Sequence, residues 1–300
     1  MKKSRETQKR KQEKTSLPVH IFFLLFGLIC LIPFITVVSA SFSSELDLAR
    51  YGFRVLPKKW DLTAYKYLFE NPKMVLNAYG VTIFITVVGT VFGVLFMAMV
   101  AFCLARSSMK LKSVLTFYIY FPTLFSGGLT ASYIINTQYL NLTNSLAALV
   151  APGLINIFNV FMIRTFLKQQ PASLFEAAKI DGASEYAIFF RIALPLAKPV
   201  LATVAFLTAL DKWNEWYNSM LYIRDNDKIT LQHMLQRMMN NINVLMENMD
   251  NIPMGVNLAD IPGENLRMAM LIVSIGPMMC FFPFFQKYFT KGMTVGAIKG

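Results

Sequence analysis

Asp211, Lys212, Trp213, Asn214, Glu215, Trp216, Tyr217 and Asn218 follow one another directly after an apolar stretch that begins at Pro199 and ends at Leu210. Two carboxylates so close could be cast as the acid and base of a glycoside hydrolase. Four residues apart on a helix, they would face the same side, whereas hydrolysis needs them on opposite sides of one bond. Asp211, Glu215, Asn218 and Tyr222 recur at steps of four, three and four, which places them on one helical stripe. Lys212 is within reach of either carboxylate. Trp213, Trp216 and Tyr217 add aromatic faces, and sugars suit amide and carboxylate acceptors beside such faces. The run therefore reads as a candidate substrate pathway formed by Asp211, Trp213, Asn214, Glu215, Trp216, Asn218 and Tyr222. The competing reading is a span that ends early, with these residues as an interfacial belt. No catalytic residue is assigned. The two histidines, His20 and His233, are far apart in sequence, and Cys30, Cys103 and Cys280 lie in apolar runs, where they read as small buried residues. No metal site is expected.

A second polar segment, Glu176 to Pro195, interrupts the apolar chain differently. Ser173 and Glu176 have the spacing of a capping box, which predicts a helix from Leu174 to about Ile180. Gly182 suits the left-handed residue that ends a helix. Ser184 can cap a second helix from Glu185 to about Ile192, which Pro195 should stop. Phe175, Ile188, Phe189 and Ile192 give this 174–192 helix pair apolar surface, as a socket in a partner protein would require.

The elements that must hold these segments are membrane spans. Of the 300 residues, 55% are hydrophobic and 15% charged, against about a quarter charged in soluble domains. The net charge of +12 is bunched beside apolar runs, as topology signals are, and no nucleic-acid-binding module is visible. Residues 1–16 form a basic tail, expected to be disordered. The first span covers 17–40. Val38-Ser39-Ala40 would suit a signal peptidase, but the uncharged run from Ile21 to Val38 is longer than a signal-peptide core, which favours an uncleaved span. An external loop over 41–75 follows. A five-helix core over 76–291 has spans near 76–104, 111–135, 142–167, 199–223 and 266–285. It includes a cytoplasmic loop over 169–195 and an external loop over 224–265. Residues 292–300 form the C-terminal tail. The expected fold is an all-α polytopic bundle of six transmembrane helices. Eighteen Lys and Arg fall on the side of both termini, which makes that side cytoplasmic. Asn156 and Asn159 in the fourth span read as helix contacts. Ser126-Gly127-Gly128 permits a break in the third. In the last external loop Leu231, Met234, Leu235, Met238, Ile242, Leu245, Met249 and Ile252 follow helical spacing and read mainly as packing against the chain's own spans, with a docking surface as the alternative.

Glu176-Ala177-Ala178, three residues, Gly182, nine residues and Ile192-Ala193-Leu194-Pro195 together resemble the EAA loop of type I ABC importer permeases at every consensus position. The resemblance extends over most of the chain. Pro57 to Phe69, Trp213 to Trp216, Gln286 to Phe289 and Lys291 to Gly300 are similar to segments of maltose-type carbohydrate permeases, nearest to those for oligosaccharides and polysaccharide fragments in Gram-positive bacteria. The resemblance implies a bacterial plasma-membrane subunit, half of a sugar pathway. Glu176, Ala177, Ala178 and Gly182 would then be the ATPase-coupling positions. It also implies four partners: a second homologous permease, a cytoplasmic ATPase dimer, an extracellular sugar-binding protein and the carbohydrate itself. The chain lacks a phosphate-binding loop, since Gly292 to Gly296 does not continue as one. ATP and Mg would therefore sit on the ATPase, with no cofactor on this chain and no enzyme activity of its own. The alternative is an ion-coupled secondary transporter using Asp211 and Glu215. The lack of an internal repeat counts against it, and it leaves the EAA segment unexplained.

Overall fold

The computed structural model describes residues 2–106, 109, 111–247 and 263–297. These are mainly helical. The described residues hold no strand beyond one isolated bridge between Ser43 and Trp60. In chain order the helices are α1 (Lys2–Ser41), α2 (Glu45–Tyr51), α3 (Thr63–Leu68), α4 (Pro72–Ala105) and α5 (Lys112–Leu124). Next come α6 (Gly128–Tyr139, its last five residues a π-turn), α7 (Ala147–Val150), α8 (Ile157–Lys168) and α9 (Ala172–Ile180). The last five are α10 (Glu185–Leu196), α11 (Lys198–Trp213), α12 (Tyr217–Tyr222), α13 (Leu231–Glu247) and α14 (Glu264–Ala297).

Three of these are long and apolar enough to cross a membrane: Leu17–Ser41, Pro72–Ala105 and Glu264–Pro283. Two bent pairs raise the number to five, namely α5 with α6 at 112° and α10 with α11 at 81°. The first bend falls at Ser126-Gly127-Gly128, where the sequence permits a break. The expected fourth span is not among the five. It is split into α7, a turn and α8, and the 12 residues of α8 rise only about 18 Å, short of a bilayer core of about 30 Å. Asn156 explains the split. It is the N-cap of α8, its Oδ1 accepting from the Asn159 amide at 3.2 Å.

Other expectations are corrected. The backbone of α1 is helical from Lys2, through the stretch where composition predicts a disordered tail. Its Lys, Arg, Glu and Gln are good helix formers, and no Gly or Pro intervenes before Pro18. The three cysteines are exposed rather than buried, as apolar side chains on lipid-facing helix surfaces would be.

The chain divides into two compact units. The first comprises residues 1–70 and 241–275. Here the Phe42 ring stacks on Tyr65 with centroids 4.9 Å apart, and Ser41 Oγ shares a hydrogen bond with the Tyr65 hydroxyl at 2.9 Å. Glu45 performs a long-range cap: its carboxylate accepts from the amides of Gly263, Glu264 and Asn265, each at 3.1 Å, at the start of α14.

The second unit comprises residues 71–240 and 276–300 and holds both polar segments. Its axis is α4, which packs along α8 and α11. Small residues allow the close approach, as membrane helix pairs require. A Cβ built on Gly93 would stand 2.9 Å from the Leu154 carbonyl oxygen, and one on Gly89 would stand 3.1–3.3 Å from the Lys212 stem. The core gathers Met97, Ala101, Phe102, Val160, Ile163 and Val204, all buried. At the far end of α13's sequence pattern, Met249 and Ile252 lie outside the described residues. Leu231, Met234, Leu235 and Ile242 are buried in the chain and Met238 is half-buried, which fits packing, while the Leu245 side chain lies outside those described.

Candidate functional sites: the EAA loop and the cavity at the fifth-span break

The EAA loop is two helices joined by a Schellman turn. Gly182, at φ +79°, donates its amide to the Lys179 carbonyl at 3.1 Å, and Ala183 donates to Ala178 at 3.0 Å. Ser184 caps α10 through the Ala187 amide at 3.2 Å, as its sequence position predicts. The expected capping box does not form. Pro171, with φ −58°, sets the entry, and α9 begins at Ala172, so Ser173 and Glu176 both lie inside the helix. Nor does Pro195 end α10. A π-turn over Phe189–Ala193 widens the helix ahead of it, and the bend comes at Ala197.

Packing reverses the expected roles of the apolar side chains. Phe175, Ile188 and Phe189 are buried in the chain's own core, and Ile192 packs at its edge. The Phe102 ring lies 6.4 Å from Phe175 and 5.4 Å from Phe189. The apolar residues left exposed are Leu174, Ile180, Tyr186 and Phe190, with Ile180 at 86%. Glu176, Ala177 and Gly182 are also exposed, while Ala178 is half-buried against the core. The sequence pattern contains no signal separating the two sets, because both recur at helical spacing. Arg106, missed by sequence reasoning, locks the pair. Its guanidinium sits over the Phe102 and Phe175 rings at 5.6 and 5.5 Å and reaches the Glu185 carboxylate at 3.1 Å, which Lys179 approaches at 3.6 Å.

The 211–222 run does not form one helical stripe. α11 stops at Trp213 and α12 starts at Tyr217. Two polar side chains hold the break. Asn214 Nδ2 donates to the Leu210 carbonyl at 2.8 Å. Glu215 accepts from the Asn218 amide and its Nδ2, at 2.8 and 2.7 Å. The break still brings most of the predicted residues together. Asp211, Asn214, Glu215, Trp216, Asn218 and Tyr222 line one open cavity of about 850 Å³, with Asn136 and Ser132 of α6 opposite. Tyr222 stacks on Tyr133 at 5.8 Å, and its hydroxyl oxygen accepts from Asn136 at 3.2 Å. Trp213 is not in the lining. It is buried, 6.4 Å from the Tyr79 ring, because it lies on the α4 side of α11. Lys212 pairs with neither carboxylate in a salt bridge. At 1% exposure its ammonium donates to the carbonyls of Leu149, Val150 and Pro152 at 3.1, 3.3 and 3.1 Å, clamping the end of α7. A second clamp is Asn144, at φ +56°, whose Oδ1 accepts from the Arg224 and Asp225 amides. Its only sequence signal is that Asn tolerates left-handed backbone in a polar turn.

An all-helical chain with apolar spans, an EAA motif and an anchored helix pair defines a membrane-embedded permease subunit. The chain belongs to the family of binding-protein-dependent transport system inner membrane components, whose sequence profile matches residues 78–295. Among curated proteins it is 39% identical to Protein LplC of Bacillus subtilis over 91% of each chain. It is 33% identical to the polygalacturonan/rhamnogalacturonan transport system permease protein YtcP of the same organism, over 94% of this chain and 97% of that one. Among solved structures, a bacterial ABC transporter involved in the import of the acidic polysaccharide alginate contains a chain that superposes with a TM-score of 0.75 at 29% identity, covering 93% and 98% of the two chains. The ABC permease reading is thus supported over the ion-coupled transporter.

Proposed function

We propose that this chain forms one half of the carbohydrate pathway of an ATP-driven importer, carrying oligosaccharides or polysaccharide fragments through a bacterial plasma membrane. Both termini are cytoplasmic. Its partners are a second homologous permease, an ATPase dimer that binds ATP and Mg, and an extracellular sugar-binding protein. The chain performs no hydrolysis itself. Coupling runs through Glu176, Ala177, Ala178 and Gly182, and the solute passes the cavity at 211–222. The observation that carries the reading is the anchored EAA loop. Its Phe175, Ile188 and Phe189 are rooted in the core while Glu176, Ala177 and Ile180 remain outside, so a force applied to the exposed face is transmitted to α4, α8 and α11.

Purifying a tagged form of the full chain in mild detergent tests it. Co-purification of a second permease and an ATPase, lost on Glu176→Lys or Ile180→Glu with the fold intact by circular dichroism, is the expected result. A solitary chain indifferent to both changes would overturn the coupling role.

A further inference from the structure

Resting on the reading that the 211–222 cavity is the solute path, we infer that this cavity takes a neutral, hydroxyl-rich saccharide and turns away polyuronates. The argument is an inventory of what the lining has left to offer. Lys212 is the single cationic side chain of the lining, and all three hydrogens of its ammonium are directed at the carbonyls of Leu149, Val150 and Pro152. It therefore has no donor for a ligand carboxylate, and an ammonium has no others. The lining carries two carboxylates, Asp211 and Glu215, against that one ammonium.

The carboxylates differ in what they are free to do. Glu215 is occupied by the Asn218 amide and side chain. Asp211 is exposed and has no hydrogen bond or ion pair among the described residues. One hydrogen of the Asn218 side-chain amide goes to Glu215, which leaves the other hydrogen and the carbonyl oxygen uncommitted among the described residues. Asn136 commits both amide hydrogens, to the Ser132 carbonyl and the Tyr222 hydroxyl. Asn214 gives one to the Leu210 carbonyl, keeps the other, and has its Oδ1 occupied by Gln232. The lining thus offers an acceptor in the Asp211 carboxylate and amide donors on Asn214 and Asn218, which together match sugar hydroxyls, groups that both donate and accept. The exposed Trp216 and Tyr217 rings supply the faces against which a pyranose lies. A uronate carboxylate would meet two carboxylates against one ammonium, and that ammonium has no hydrogen left to bond it. The cavity in this way differs in preference from what the alginate importer is said to carry.

The sign of the cavity's potential can be read without knowing the sugar. Cys30, Cys103 and Cys280 are changed to Ala, Tyr217→Cys is introduced, and the complete transporter is kept in its membranes. The probes are the trimethylammonium-ethyl and sulfonate-ethyl methanethiosulfonates, whose rates are compared with those on free cysteine. The cationic reagent should be favoured by at least about threefold over the free-cysteine ratio. Asp211→Asn with Glu215→Gln should return the ratio to the free-cysteine value. A ratio at or below that of free cysteine would overturn the inference and leave the pathway standing. Reaction with neither reagent would show that no water-filled path reaches position 217, which would overturn the pathway reading as well.

Discussion

The EAA loop and the break after α11 are both polar interruptions of an apolar chain, but they use their residues in opposite ways. In the loop the apolar side chains do the anchoring. Phe175, Ile188 and Phe189 enter the core, and the polar Glu176 stays outside. At the break the polar side chains do the anchoring. Glu215, Asn214 and Lys212 satisfy backbone groups that the interrupted helices leave open, and the aromatic Trp216 and Tyr217 stay exposed. The difference follows from the surroundings. A loop beside water can leave helix ends to solvent and needs burial to hold its place. Beside the break, Lys212 and the Leu149 carbonyl it holds are buried among the helices away from solvent, so a side chain must supply the donor.

Substitutions can break this comparison in order of effect. Phe175→Ala removes a buried ring from the loop's root and should cost about 4 kcal/mol, read as a fall in the thermal midpoint in detergent. Its exposed counterpart Ile180→Ala should change stability by less than about 0.5 kcal/mol while lowering ATPase stimulation in the assembled complex. Equal effects of the two on stability would erase the anchored-face distinction. Lys212→Met keeps the stem and removes the donors. It should cost about 3 kcal/mol and expose the 147–152 segment to proteolysis, because three carbonyls lose their partner together. A neutral outcome would mean the clamp is dispensable.

Two glycines sharpen the same point. Gly93→Ala drives a methyl onto a backbone oxygen, whereas Gly89→Ala meets only the flexible Lys212 stem. The first should cost about 2 kcal/mol and the second less than about 1 kcal/mol. The reverse order in thermal scans would contradict the packing of α4. The smallest effect concerns His233, whose ring Nδ1 lies 2.9 Å from the buried Ser219 hydroxyl. Burial, and then the charge of Arg237, hold its imidazole below the ordinary value of 6.5. The unfolded chain therefore takes up the proton first. Stability is full above about pH 6.5 and falls as the pH drops toward the lower folded value. His233→Gln should flatten that slope between pH 7.5 and 5.5, and an unchanged slope would assign it to other groups.

Much of this molecule is legible from residue order because the signals are local. Apolar runs of membrane length and the Gly182 turn with the Ser184 cap depend on neighbours within a few residues, so pattern alone predicts them. The EAA spacing and the gathering of polar and aromatic residues after Leu210 are likewise written in the sequence. Spacing assigned the 211–222 residues to one stripe, however, and it could not foresee that Asn214 and Glu215 would end one helix and begin another. It paired Lys212 with its sequence neighbours, when the carbonyls it holds are some 60 positions away. It also turned Phe175 and Ile188 outward, since periodicity reports that a helix has an apolar face and not what covers that face. The sequence by itself determined the class of protein, its apolar runs and where its two polar segments lie. Which side chains anchor and which remain free was decided by tertiary structure alone, because burial and hydrogen-bond partners come from residues distant in the chain.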